Sequence, residues 1–268
     1  MTELHMIRLR LQLPRLMELA RQQRMPLYDL DTGYLAHIGL SALFGAAAPK
    51  PFAIQSDLRP PLLGDPDVPP RELVVLGYAP VAHAALRSQI GAEARALLAD
   101  GSLDSHALPA ELPRGARFRF TVRGCPTVRS KRQGDEPRPR DRKGRPRSLE
   151  IDAWLAKCLA VGTKAASPDA ATVDRAVVYA DWLRRAVGSA ATLDQIDLVA
   201  FSRVPVVRRT QRGPEGTERK SRVSDRPAAV FEGTLTVSDA ARFRELLARG
   251  VGRHRSFGFG MLLLRPAR

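Results

Sequence analysis

Apolar and polar positions alternate from His5 to Leu11 with a period of two, which predicts a half-buried strand. A helical connector follows from Pro14 to Gln23. The period then lengthens: Leu35, Ile38, Leu43 and Phe44 recur at roughly helical spacing, with Asp31 or Thr32 as N-cap and Gly45 as stop. Strands are predicted at Pro51 to Gln55 and Glu72 to Tyr78, separated by a proline-rich loop from Pro60 to Pro70. A second amphipathic helix is predicted from about Val81 to Leu98. Strand, helix, strand, strand, helix is the order of a ferredoxin-like βαββαβ unit, and its last strand is expected, on a weak signal, near Ser105 to Leu108.

The order starts again after Pro113. From Arg117 to Arg123 the alternation is strict, with Phe118, Phe120 and Val122 on one face and Arg117, Arg119 and Arg123 on the other. Arg129 to Arg147 has no apolar periodicity. A helix carrying Trp154, an Ala/Ser/Pro-rich linker and a helix over Val173 to Ala186 follow. Strands are predicted at Val199 to Val207 and Ala229 to Val237, then a helix capped by Ser238 and running to Arg249, then a final strand from Phe259 to Leu264. The expected fold class is α+β, two ferredoxin-like (RRM-like) units in tandem over residues 1–112 and 113–268. With 268 residues there is room for two domains of ordinary size. No sequence repeat relates the halves, so the expectation rests on element order.

Charge changes this picture from fold to function. Lys plus Arg number 43 against 28 acids, a net +15, and most of the cations are arginine, whose planar fork suits phosphates. Thirteen cations and three acids lie between Arg114 and Arg147, and eight against three between Arg203 and Arg226. A charge run is usually a solvated face. These runs are internal, barely balanced and flank a basic strand face, which favours nucleic acid. The expected contacts are Arg117, Arg119, Arg123, Arg129, Lys131, Arg132, Arg142, Lys143, Arg145 and Arg147, with salt-dependent binding. Aromatics are 6% of the chain, too few to advertise base stacking, so a structured RNA held by its backbone fits better. No apolar run is long enough to span a bilayer and the N-terminus lacks signal-peptide order. Cys125 and Cys158 form no disulfide or metal pattern, so a cytoplasmic location is expected.

Near the C-terminus stands Gly250-Val-Gly-Arg-His-Arg-Ser-Phe-Gly-Phe-Gly260. Gly250, Gly252, Gly258 and Gly260 let the backbone take positive φ and approach a ligand, and Arg253, His254 and Arg255 add donors, a pattern suited to phosphate. A helix stop and glycine-relieved strand packing are the structural readings of the same glycines. A GhGxxxxxGxG segment (h apolar) in this place resembles the signature of the CRISPR repeat-RNA endoribonucleases of the RAMP superfamily, and most of all their CasE (Cse-type) branch of type I-E systems. Phe118-Arg-Phe-Thr-Val-Arg-Gly-Cys-Pro126, Tyr179-Ala-Asp-Trp-Leu-Arg184 and Val230-Phe-Glu-Gly-Thr-Leu-Thr-Val-Ser-Asp239 carry the same resemblance, which is strongest from Arg117 onward.

In that branch the first helix carries Tyr-x-x-His, and Tyr34-Leu-Ala-His37 stands in the corresponding place. The resemblance implies metal-independent cleavage on the 3′ side of a repeat stem-loop by the RNA's own 2′-hydroxyl, with no cofactor. It also implies product retention and assembly with other Cas subunits. Histidine suits the acid–base role because it titrates near neutral pH. His37 lies three residues after Tyr34 on one helical face, so phenol and imidazole can converge on one phosphate. Core packing is the rival reading for both. His254 is the competing catalytic candidate, although phosphate binding already accounts for its segment. Two alternatives stay open: a non-catalytic RNA-binding subunit, and a type IV processing relative using arginines. No carboxylate cluster has metal-ligand spacing, which disfavours a two-metal nuclease.

Overall fold

The computed structural model describes residues 3–23, 25, 31–58, 71–99, 102–110, 112–130, 149–161, 173–209 and 221–267. The opening alternation forms β1 (His5–Gln12), with Ile7, Leu9 and Leu11 fully buried. β1 is central in a four-stranded antiparallel sheet. β3 (Glu72–Ala79) pairs along its whole length, β4 (Asp104–Ala107) pairs on the other side, and β2 (Phe52–Ile54) borders β3. Helices α1 (Leu13–Gln22) and α2 (Thr32–Phe44) separate β1 from β2. The helix expected from Val81 to Leu98 is two short ones, α3 (His83–Ser88) and α4 (Ala92–Arg95). Gly91 is extended between them and N-caps the second. The weakly signalled last strand is β4, so the unit is complete. Its spatial order, β2-β3-β1-β4, is that of a ferredoxin-like sheet.

The second sheet repeats this order. β5 (Arg117–Gly124) is flanked by β10 (Leu263–Pro266) and β9 (Ser221–Val237), and β8 (Ala191–Arg209) lies outside β9. α6 (Arg175–Val187) follows β5 and α7 (Ala240–Arg249) follows β9, completing a second ferredoxin-like unit. β8 and β9 each begin eight residues before their predicted starts. The early part of β8 (residues 191–198) pairs with residues 231–237 inside the sheet, where bulges at Leu193/Gln195 and Leu198/Ala200 break its alternation. The early part of β9 (residues 221–228) pairs with residues 202–209 as a two-stranded arm beyond β5. The final strand begins at Leu263 rather than Phe259, because Gly258 and Gly260 hold φ of 79° and 80°, outside strand geometry. Inserted between β5 and α6 are α5 (Ala153–Ala160) and an unpredicted hairpin, β6 (Thr127–Ser130) with β7 (Leu149–Asp152), at the two ends of the basic insertion.

One core lies under the first sheet, around Ile7, Leu9, Leu40, Phe52 and Val75. A second, around Phe120, Tyr179, Phe231, Phe243 and Leu247, continues into the first unit through Ala53, Leu58 and Tyr78. The buried Tyr78 hydroxyl donates to the Leu262 carbonyl at 2.8 Å, which seals this junction.

Candidate active site

α2 is apolar on nearly every side and is buried accordingly, from Gly33 to Phe44. His37, half-buried, and the exposed Ser41 lie one turn apart on the narrow stripe that leaves the core. Asp31 caps the helix by accepting the Tyr34 amide at 2.9 Å. The C-terminal segment reaches this same helix. A Cβ added at Gly33 would stand 2.3 Å from the Phe257 carbonyl oxygen, so only glycine admits that approach. The Phe257 ring then stacks on Tyr34, centroids 6.0 Å apart, and meets His37 edge-on at 5.4 Å. Tyr34 and His37 are 6.0 Å apart, also edge-on. Tyr34 is buried and belongs to this aromatic packing.

Burial, and secondarily the positive charge of Lys50, hold the His37 imidazole below the ordinary histidine range. The exposed Lys50 comes from the corner before β2, where the neighbouring Pro51 lies under Gly250. A neutral, half-buried imidazole beside a cation can accept a proton from a substrate hydroxyl near neutral pH.

The glycine segment folds on itself. Val251 donates to the Gly260 carbonyl at 2.8 Å and Gly260 to the Arg123 carbonyl at 2.7 Å. Gly250, Gly252, Gly258 and Gly260 all have φ between 70° and 80°. His254 turns inward. Its side chain is wholly buried, with Nε2 3.1 Å from Glu150 Oε2, and Arg253 ion-pairs with the other oxygen of that carboxylate. Arg226 lies 3.5 Å from Glu150 as well. The His254 contact, then Arg253, hold the Glu150 carboxyl down at about 2. Arg255, half-buried, donates to the Arg249 carbonyl.

Of the expected RNA contacts on strands, Arg117, Arg119 and Arg129 are exposed. Arg123 is not on an open face. It is 8% exposed, donates to Asp57 at 2.6 Å and lies 4.4 Å over the Phe259 ring, tying β5 to the first unit. Lys131, Arg132, Arg142, Lys143, Arg145 and Arg147 lie outside the described residues. Sequence reasoning passed over Lys50, Asp57, Glu150 and Phe257. Phe257 was visible only as an aromatic inside the glycine motif, and nothing local marked the others. Among the described residues no group of three or more His, Cys, Asp or Glu comes together as a metal site. No helix described is long and apolar enough to cross a membrane. Cys125 and Cys158 are free and buried, and burial pushes the Cys125 thiol up to about 12.

The class is set by this geometry: paired ferredoxin-like units, with the first unit's α2 docked on a glycine-rich segment before the last strand of the second. A family model described as CRISPR associated protein matches residues 4–266, and the chain belongs to that family. Three solved structures share the fold. A CRISPR endoribonuclease Cse3 bound to 19-nucleotide RNA superposes with a TM-score of 0.57 at 20% identity, over 98% of this chain and 100% of that one. Cse3 of Thermus thermophilus, bound to an RNA representing a pre-cleavage complex, gives 0.55 at 17%, with the same coverage. A chain of a CRISPR RNA-guided surveillance complex gives 0.53 at 17%, again over 98% and 100%. No curated protein matches the chain.

Proposed function

We propose that this protein is a processing endoribonuclease that binds the stem-loop of a CRISPR repeat RNA and cuts the precursor without a metal ion. His37 carries the assignment: a half-buried imidazole kept neutral by burial and Lys50, at the junction of α2 and the glycine-rich segment. Neutral His37 accepts the proton of the 2′-hydroxyl, whose oxygen bonds to the adjacent phosphorus. The bond from phosphorus to the 5′-oxygen breaks, and that oxygen takes the proton His37 had accepted. The products end in a 2′,3′-cyclic phosphate and a 5′-hydroxyl. The Lys50 ammonium offsets charge building on the phosphoryl oxygens, while Tyr34 and Phe257 fix the orientation of the imidazole. Support from relatives is of the same kind: fold neighbours are described as an endoribonuclease bound to RNA and as a surveillance complex. Retention of the product and assembly with other Cas subunits follow from that likeness.

The test is cleavage of the cognate repeat RNA in EDTA by the wild type and His37→Ala. The wild type is expected to give the cyclic-phosphate product, and the variant to lose about 10²- to 10⁴-fold in rate while still binding RNA. Uncut RNA with the wild type leaves only an RNA-binding subunit. Full activity in His37→Ala removes the imidazole from the chemistry.

A further inference from the structure

We infer that Glu150 is a positioning residue for the proposed cleavage site. By gripping His254 and Arg253 it holds the glycine-rich segment in the conformation that sets Phe257 against Tyr34 and His37. The inference rests on the acid–base role given to His37. Glu150 sits at the foot of the basic insertion, on β7 opposite Arg129 of β6. Its carboxylate is largely buried, and three side chains from two other parts of the chain converge on it: Arg253 and His254 from the glycine segment and Arg226 from β9. Arg226 also donates to the Glu150 main-chain carbonyl at 3.2 Å, so the anchor is held at both backbone and side chain. A buried anion with this many partners stays ionised.

The contacts from Glu150 to the site are continuous. His254 is the non-glycine residue with positive φ among those described, at 60°. An L-residue keeps that backbone only where tertiary contacts over-determine it. Here the contact is Glu150, 3.1 Å from a ring that is wholly buried. The His254 carbonyl accepts the Phe257 amide at 2.8 Å, which closes the turn Arg255–Phe257. That turn delivers the Phe257 ring to Tyr34 and His37. Without Glu150 the left-handed residue loses its anchor, Arg253 and Arg226 lose their counter-charge, and the turn carrying Phe257 is released. The same anchor joins β7 to the helix that carries His37.

The experiment uses the full chain carrying Glu150→Gln, with His254→Leu cutting the same link from its other end. Three quantities are measured: single-turnover cleavage at saturating repeat RNA, affinity for repeat RNA with a 2′-deoxy scissile nucleotide, and the NMR shifts of the His37 ring protons, which lie beside the Phe257 ring. The saturated rate is expected to fall roughly 10- to 100-fold. Affinity should hold or tighten in Glu150→Gln, since one negative charge is removed and Arg253 is released. The His37 resonances should move in both variants, and in the same sense as in Phe257→Leu. An unchanged saturated rate overturns the assignment, as does a rate loss matched by an affinity loss with His37 resonances unmoved. If the wild type leaves the RNA uncut, the nuclease reading fails instead. The His37 shifts then decide alone whether Glu150 controls the geometry at α2, and unmoved shifts overturn it.

Discussion

At the scale of single residues, burial separates two histidines that composition leaves level. His254 has the more suggestive neighbours, between two arginines in a glycine motif, yet its ring is enclosed and committed to Glu150. His37 looks like part of an apolar helix, yet it lies on the stripe of α2 that leaves the core. The Tyr34-to-His37 spacing was legible in the sequence. Lys50 was not, because thirteen residues and a change of direction at the corner before β2 bring its charge to the imidazole. A nearby cation disfavours imidazolium, so removing it raises the histidine's pKa. The acid limb of the pH profile of kcat/KM is expected to have its midpoint below the ordinary histidine value of 6.5. In Lys50→Met that midpoint should move to higher pH, because the ring stays protonated further up the scale. An unmoved midpoint removes Lys50 from the electrostatics of the site.

At the scale of elements, α2 joins the sequence pattern to the site. Its N-cap was legible to within one residue, Asp31 or Thr32, and it is Asp31 that accepts the Tyr34 amide. The cost of that cap was not. Asp31 Oδ2 is buried with no hydrogen-bond partner among the described residues, and burial raises the carboxyl from 3.8 to about 6 against the opposing pull of the Tyr34 and Gly33 amides. A raised carboxyl pKa favours folding while the group is protonated, below about pH 4, and that contribution is lost as pH rises through about 6. Asp31→Asn keeps an N-cap acceptor and cannot ionise. Relative to the wild type it should gain on the order of 2 kcal/mol of unfolding free energy at pH 8 over its value at pH 4. Denaturant titrations at the two pH values check this, and an equal difference at both would show that Asp31 stays ionised without penalty. The hairpin β6–β7 was missed for a different reason: four-residue strands that frame a basic stretch carry too little alternation to register.

For the whole molecule, the net charge of +15 is the largest signal in the sequence, and the fold sorts it into kinds. Some arginines are structural: Arg123 joins β5 to Asp57 of the first unit, and Arg226 is paired at Glu150. Arg117, Arg119 and Arg129 remain on the surface. Binding through surface arginines releases counterions from the RNA, so affinity should fall linearly with the logarithm of salt concentration. Arg129→Ala combined with Arg132→Ala is expected to weaken repeat-RNA binding and to reduce the steepness of that line by about one to two. Filter binding or fluorescence anisotropy across a salt series measures it, and an unchanged slope would show that these two arginines do not touch phosphate.

The sequence by itself determined what depends on neighbours along the chain. The period of two in β1 and β5, the helical spacing in α2 and α7, the repeated element order and the cation surplus are all local or additive, and together they specify two ferredoxin-like units facing a polyanion. The glycine motif belonged to the same legible set, because a positive φ excludes most residues wherever it occurs. Only the tertiary structure decided which charges are spent inside the protein and which histidine meets solvent. Those choices depend on contacts such as Glu150 with His254, Asp57 with Arg123 and Phe257 with Tyr34, which join positions some 65 to more than 200 residues apart. Burial and ion pairing act on distance in space, and no period in the sequence encodes that distance.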